Sequence, residues 1–364
     1  MKIEKIGSVK IVMDNPDSKH NYFGWPSVAR LQNGKIAVVS SGFRCQHVCP
    51  FGKAVIAYSE DEGETYTRPA AVIDTPLDDR DAGITTFGDK GVVITSFNNT
   101  RHFQRGNSCA DKAYSHAYLD TVTDEEEEAY IGSLYRFSRD SGITWEKKLY
   151  KAPITSPHGP CVLKSGKLLW GGRTYSPGCE ILPDDHIAAY EIDPQTGSMT
   201  CLGRVPAIIR EDGKPVLMCE PHAIELPNGD LLCHIRVQGW GPGRIFTVYQ
   251  TVSKDGGYTW SEPEQVLGDH DGSPAHLFLH SSGVLVSTYG VRKGPYGIHV
   301  MFSRDLGKTW DIEHVLWNEA PNDDVGYPCT IELDDGSLLT VFYGHFREEE
   351  PCMIMQQKWR IVEC

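Results

Sequence analysis

Ser303-Arg-Asp-Leu-Gly-Lys-Thr-Trp310 reads as a self-contained hairpin turn. The Asp accepts backbone N–H groups, the Gly takes a conformation closed to other residues, and the Trp anchors the turn on a sheet. The same S-x-D-x-G-x-T-aromatic pattern recurs as Ser59-Glu-Asp-Glu-Gly-Glu-Thr-Tyr66, Ser138-Arg-Asp-Ser-Gly-Ile-Thr-Trp145 and Ser253-Lys-Asp-Gly-Gly-Tyr-Thr-Trp260. Four copies make the chain a repeat protein.

A second repeat lies between these copies: an extended run, a Gly turn, then an apolar run. Its clearest example is Cys219 to Arg236, in which Asn228-Gly229 is the two-residue turn of a β-hairpin. The turn glycines are Gly34, Gly91, Gly166, Gly229, Gly283 and Gly336, giving six units with room for four short strands each. The reading is all-β: a six-bladed β-propeller of four-stranded antiparallel blades, one domain over residues 1–364, with the first strand of each hairpin nearest the axis. Lys2 to Met13 and Met353 to Val362 are both extended and are expected to pair in one blade and close the ring. The long interval between Gly91 and Gly166 locates an insertion at 99–132, polar and carrying a helical turn started by Thr123. Ser176 to Asp185 and Asp193 to Gly197 read as shorter loops, the latter a degenerate copy of the Ser-Asp-Gly turn.

Composition narrows the partners. A net charge of −14 opposes binding to nucleic acid or an anionic membrane surface, while leaving room for a small anionic ligand in a local arginine cluster. The N-terminal stretch has neither an apolar core nor a cleavage pattern, so no signal peptide or transmembrane span is expected. Eleven cysteines without a framework read as reduced thiols of a cytoplasmic protein. Cys45 and Cys49 flank His47 but lack a second cysteine pair, so neither a metal nor a cofactor is expected.

Hairpins built alike bring their open ends to one mouth of the central tunnel. There unit one places Trp25 and Arg44, and unit two Arg80 and Asp81. Unit three places His158 opposite Arg173, and unit four Glu220 opposite Arg236. Unit five gives Ser273 and Arg292, and unit six Tyr327 near Tyr343 and His345. Charges gathered at one edge, above apolar hairpin interiors, mark the candidate site because buried charge is costly unless used or paired. His222 and His276 read as structural histidines, His47 and His158 as functional ones.

The Ser-Asp-Gly-Thr-Trp copies resemble the Asp-box repeats of the sialidase superfamily, and six such blades resemble its propeller over nearly the whole chain. By that resemblance Tyr327 is the nucleophile, Glu220 the base that takes its proton, and Arg236 with Arg292 the clamp on a substrate carboxylate. A neutral tyrosine suits an anomeric carbon that carries a carboxylate, since a negative nucleophile would be repelled. Two family features are missing. Phe23-Gly24-Trp25-Pro26 stands where the family has an arginine, and Cys45 to Gly52 holds no carboxylate where it has an acid/base aspartate. His47 is then the expected proton donor and Asp81 the substitute, with Arg44, Arg80 and Arg173 restoring positive charge. The resemblance implies an exo-acting glycosidase releasing a terminal acidic sugar from a mono- or oligosaccharide substrate. A uronate-directed lyase and a non-catalytic glycan-binding propeller are the competing readings; oligomeric state is left open.

Overall fold

The computed structural model describes residues 1–108, 111–178, 185–210, 213–239, 245–268 and 272–362. Six sheets surround one axis. Blade one is built from Tyr22–Arg30, Ile36–Arg44, Lys53–Ser59 and Ala70–Ile73, and blade two from Arg80–Phe87, Gly91–Phe97, Ser133–Ser138 and Tyr150–Ala152. In blade three the innermost strand is split into Ile154–Thr155 and Cys161–Val162, both paired with Leu168–Thr174, and Ile187–Ile192 and Met199–Arg204 follow outward. Blades four and five run outward from Leu217–Glu225 and Gly272–Leu279. Blade six runs from Gly326–Glu332 through Leu338–Gly344 to Met353–Val362, and its outermost strand is the N-terminal Lys2–Met13. That strand pairs antiparallel with the C-terminal one from Lys2 opposite Val362 to Met13 opposite Ile354. The two ends of the chain therefore lock the ring, as their sequences imply.

The Asp-box turns repeat one hydrogen-bond scheme four times. Asp61 Oδ1 accepts from the Thr65 N–H at 2.8 Å and Oδ2 from the Thr65 hydroxyl at 2.6 Å, while the Ser59 hydroxyl accepts the Gly63 N–H at 2.8 Å. Asp140, Asp255 and Asp305 are held in the same way. The Thr bonds hold all four carboxyls down to about 2. Gly63 at φ +79° follows Glu62 at φ +57°, so two successive left-handed residues shape the turn and the glycine takes the second place. Asp193–Gly197 is a reduced version, with Asp193 Oδ1 accepting from Gln195 N–H at 2.8 Å.

One local expectation is corrected and one, the helical turn started by Thr123, is met and extended. The blade-two turn is made by Gly88, at φ +53°, and Gly91 already begins the returning strand. The insertion carries three short helices: α1 (Arg101–Asn107), α2 (Lys112–Leu119) and α3 (Asp124–Tyr130), the last closed by a capping box of Thr123 and Glu126. Most of the loop from Ser176 to Asp185 lies outside the described residues. Packing between blades is apolar: Val38 and Val55 of blade one meet Leu339 and Val341 of blade six in one cluster, and all four are fully buried. Each such side chain contributes about 1.5–3 kcal/mol, so the blades form a rigid frame for what stands at the mouth.

Candidate active site

One backbone device places the mouth residues. In five of the six innermost strands the register slips by one residue at the same step: between Gly24 and Ser27, Arg80 and Gly83, Cys219 and His222, Gly272 and Ala275, and Gly326 and Cys329. Each slip is a β-bulge, which twists a strand and re-aims a side chain. The first bulge residue is Trp25, Asp81, Glu220, Ser273 or Tyr327. Four of these five sit at positive φ, at +55°, +48°, +49° and +51° for Trp25, Asp81, Glu220 and Tyr327. Such backbone costs of order 1–3 kcal/mol per non-glycine residue and persists where the surroundings over-determine it. The slip also corrects the expected register: Arg236 pairs with Cys219, and Glu220 is the bulged residue beside it.

Tyr327 of blade six and Glu220 of blade four, with only blade five between them, meet through these bulges. The Tyr327 hydroxyl donates to Glu220 Oε1 at 2.5 Å. One Arg236 N–H group donates to Glu220 Oε2 at 2.7 Å and to the Tyr327 oxygen at 3.2 Å, and the rest of its guanidinium is held by Gln238 at 2.7 and 3.0 Å. Arg292 lies 5.5 Å over the Tyr327 ring, fixed by the Val325 carbonyl and the Tyr343 hydroxyl, each at 3.0 Å, rather than by a carboxylate. Burial pushes the Tyr327 phenol well above its ordinary range, with Glu220's charge adding to it. Burial also acts to raise Glu220, but Arg236, the Tyr327 hydroxyl and Arg292 outweigh it and leave the carboxylate below its usual value. The result is a neutral tyrosine bonded to an ionised carboxylate.

Asp81 has the opposite environment. It is buried, its Oδ1 has no hydrogen-bond partner among the described residues, and burial raises the carboxyl to about 7 against the opposing charge of Arg80. Asp81, Glu220, Arg236, Arg173 and Tyr175 line one cavity of about 230 Å³. That is below the roughly 300–1,000 Å³ of most small-molecule sites, and Tyr327 and Arg292 stand behind Glu220 and Arg236 rather than among its lining residues.

Other residues expected at the mouth do different work. Arg44 is fully buried, ion-paired with Asp78 at 2.6 Å, and donates to the Ser41 hydroxyl and the His47 carbonyl, both at 2.7 Å, so its guanidinium is spent inside the protein. Arg80 donates to the same carbonyl at 2.7 Å and stacks 4.4 Å over Trp25. Trp25 is buried beneath it and forms floor rather than an exposed platform. Arg173 borders the cavity but pairs with Asp185 at 2.7 Å, and its strand partner is Thr155, not His158. His158 lies deeper on the axis, edge-on to His222 and His276 with ring centroids 5.5 and 5.1 Å away; it is 3% exposed, and burial lowers it to about 4. The grouping of His158 with the mouth is thus corrected. His222 and His276 accept backbone N–H groups of Leu277 and Thr330 from neighbouring blades. His47 is half exposed, edge-on to Trp25 at 4.8 Å, and faces Asp324 at 3.9 Å; burial, with Arg80 and Arg44 nearby, lowers it against the pull of Asp324. It is not among the residues lining the Asp81 cavity.

Asp324, Asp78 and Tyr22 were not anticipated from the sequence. Asp324 accepts from the Tyr22 hydroxyl at 3.0 and 3.1 Å and from the Tyr343 hydroxyl at 3.1 Å, and so steadies the tyrosine that holds Arg292. Gly24, where the family arginine is missing, points its absent side chain at Tyr22, 3.4 Å away, and at Tyr343, 3.8 Å away. Gly24 thus abuts this tyrosine–carboxylate group. Asp324 lies three residues before Tyr327, which was the available signal.

Residues 116–340 match the model of the BNR repeat-like domain. A Dyadobacter fermentans protein of unknown function superposes with TM-score 0.78 at 19% identity, over 99% of both chains. A Trypanosoma rangeli sialidase bound to the inhibitor DANA gives TM-score 0.64 at 14% identity, over 98% of this chain and 58% of that one. NanB sialidase from Streptococcus pneumoniae gives 0.65 at 13%, over 98% and 71%. At these identities the likeness is one of fold. A search of curated proteins returns no match.

Proposed function

This chain belongs to the BNR repeat-like domain family, and from that premise and the geometry of the mouth we propose a retaining exo-glycosidase that releases a terminal acidic sugar. The observation that carries the reading is the 2.5 Å bond from the Tyr327 hydroxyl to Glu220, bridged by Arg236. In the first step Tyr327 oxygen attacks the anomeric carbon as its proton passes to Glu220, and the glycosidic oxygen leaves with a proton from Asp81. In the second, Asp81 takes a proton from water, the resulting hydroxide displaces Tyr327 from the anomeric carbon, and the phenolate regains its proton from Glu220. Two carboxyls driven apart, Glu220 below its usual range and Asp81 up to about 7, support base and acid roles respectively. Asp81 thus replaces His47 as the proton donor. Arg292, held among the described residues by a carbonyl and a hydroxyl and by no carboxylate, is the cation offered to the substrate's acid group.

Aryl glycosides of sialic acid, related keto-acids and uronic acids test the reading. Release from one of them, abolished by Tyr327→Phe, is the expected result. An enzyme in which Tyr327→Phe retains full turnover refutes the nucleophile.

A further inference from the structure

The segment after Leu168–Thr174 forms a wall with a use on each side. Tyr175 and Ser176 line the cavity of Asp81 and Glu220, and the next two residues, Pro177 and Gly178, line a second, open hollow of about 750 Å³ walled by α1 of the insertion. This wall is fastened to blade two: the Tyr175 hydroxyl donates to the Asn98 carbonyl at 2.9 Å and the Gly178 N–H to Asn99 Oδ1 at 3.1 Å. The opposite wall is equally fixed. Arg101 is ion-paired with Glu127 at 2.8 Å, and the buried Gln104 donates to the Asn99 carbonyl at 2.7 Å.

On that framework α1 presents Phe103, the exposed imidazole of His102, Asn107 and the guanidinium of Arg105 to the hollow. Among the described residues the Arg105 guanidinium makes one bond, to Asp120 at 2.6 Å. An aromatic face beside a set of donors and acceptors matches a pyranose, which has an apolar C–H face and a rim of hydroxyls. None of these residues takes part in the proposed hydrolysis, and the cavity next door is small, about 230 Å³.

We propose that this hollow is a sugar-binding subsite for the leaving-group side of the substrate, receiving the pyranose to which the terminal acidic sugar is attached. Its designation as leaving-group side rests on the glycosidase reading; its ability to bind a pyranose does not.

Two measurements separate these. Saturation-transfer NMR with lactose and cellobiose as probes is expected to show ring protons in contact with the wild-type protein, with affinity falling roughly fivefold or more in Phe103→Ala. His102→Ala, at an exposed position, supplies a second variant that leaves packing intact. Absence of contact in the wild type, or unchanged affinity in both variants, overturns the subsite. In the kinetic arm, kcat/KM for an acidic-sugar-terminated disaccharide is expected to fall by a similar factor in Phe103→Ala while the matching 4-nitrophenyl glycoside is unaffected. Equal losses on both substrates overturn the leaving-group designation. A wild-type protein that turns over neither substrate fails as a glycosidase, and the NMR result then still decides the hollow.

Discussion

His158 is one of the buried histidines that make the propeller lose stability on acidification. Buried on the axis among His222 and His276, it is held to about 4, with burial the dominant cause and Glu220's charge opposing. The unfolded chain titrates near 6.5. The folded value is the lower one, so between these pH values the unfolded state binds a proton that the folded state refuses. Stability is therefore undiminished above about pH 6.5 and falls as the solution is acidified. The interval of roughly 2.5 units corresponds to about 3.4 kcal/mol in full, and to about 2.5 kcal/mol between pH 7 and 4.5. His158→Gln removes this contribution. It also relieves the repulsion that helps lower His222 and His276, so the difference between the two proteins is at least that large. Asp79 and Asp81, both raised by burial to about 7, act with the opposite sign, gaining stability as pH falls, and they do so in both proteins. Urea unfolding followed by tryptophan fluorescence at pH 7 and pH 4.5, on wild type and variant, isolates the histidine. The variant is expected to lose about 2.5 kcal/mol less than the wild type. Parallel losses refute the reasoning.

Glu220→Gln leaves Tyr327 without its proton acceptor and Arg236 without its counter-charge, so kcat is expected to fall roughly 10²–10⁴-fold on any aryl glycoside that the wild type cleaves. Asp81→Asn should lose a similar factor on substrates with poor leaving groups and little on 2,4-dinitrophenyl glycosides, which depart without a proton; equal losses on both exclude Asp81 as the acid. The kcat/KM profile should decline above about pH 7 as Asp81 loses its proton, and the Asn variant should lack that limb. Arg44→Met is expected to act on stability rather than on KM, lowering chemical stability by up to about 3 kcal/mol because buried Asp78 loses its 2.6 Å partner and keeps only Arg80 at 3.4 Å and the Cys49 N–H at 3.1 Å.

The fold was legible because its determinants are local. Each Asp-box closes its hydrogen bonds within seven residues, from Ser303 to Thr309 for example, so its chemistry appears as adjacent letters. The insertion was less so: Thr123 announces α3 by its capping box, whereas α1 depends on contacts such as Gln104 to Asn99 and Arg101 to Glu127, made across the folded loop. Arg44 and Arg173 were misread for a related reason. Their position on a strand end was visible, but their partners Asp78 and Asp185 are brought in by other turns, and a guanidinium's availability is decided by its partners.

The bulges show the same division within the site. An ideal two-residue-period hairpin sets Glu220 across from Arg236 as a simple cross-strand pair, and that was the sequence expectation. The inserted residue instead pushes Glu220 into left-handed backbone, and the same slip 107 residues later does so to Tyr327, so the two bulges meet over the inner strand of blade five. A trace of this is present in the sequence: Trp25-Pro26, Glu220-Pro221, Ser273-Pro274 and Tyr327-Pro328 each precede their turn glycine by nine or ten residues. Proline has no N–H to give to a ladder and is admitted to an inner strand only where the ladder is already broken. The repeated X-Pro pair therefore marks the residue that the propeller turns toward its axis, and the strain stored there is the cost of a hydrogen bond that no regular sheet would form.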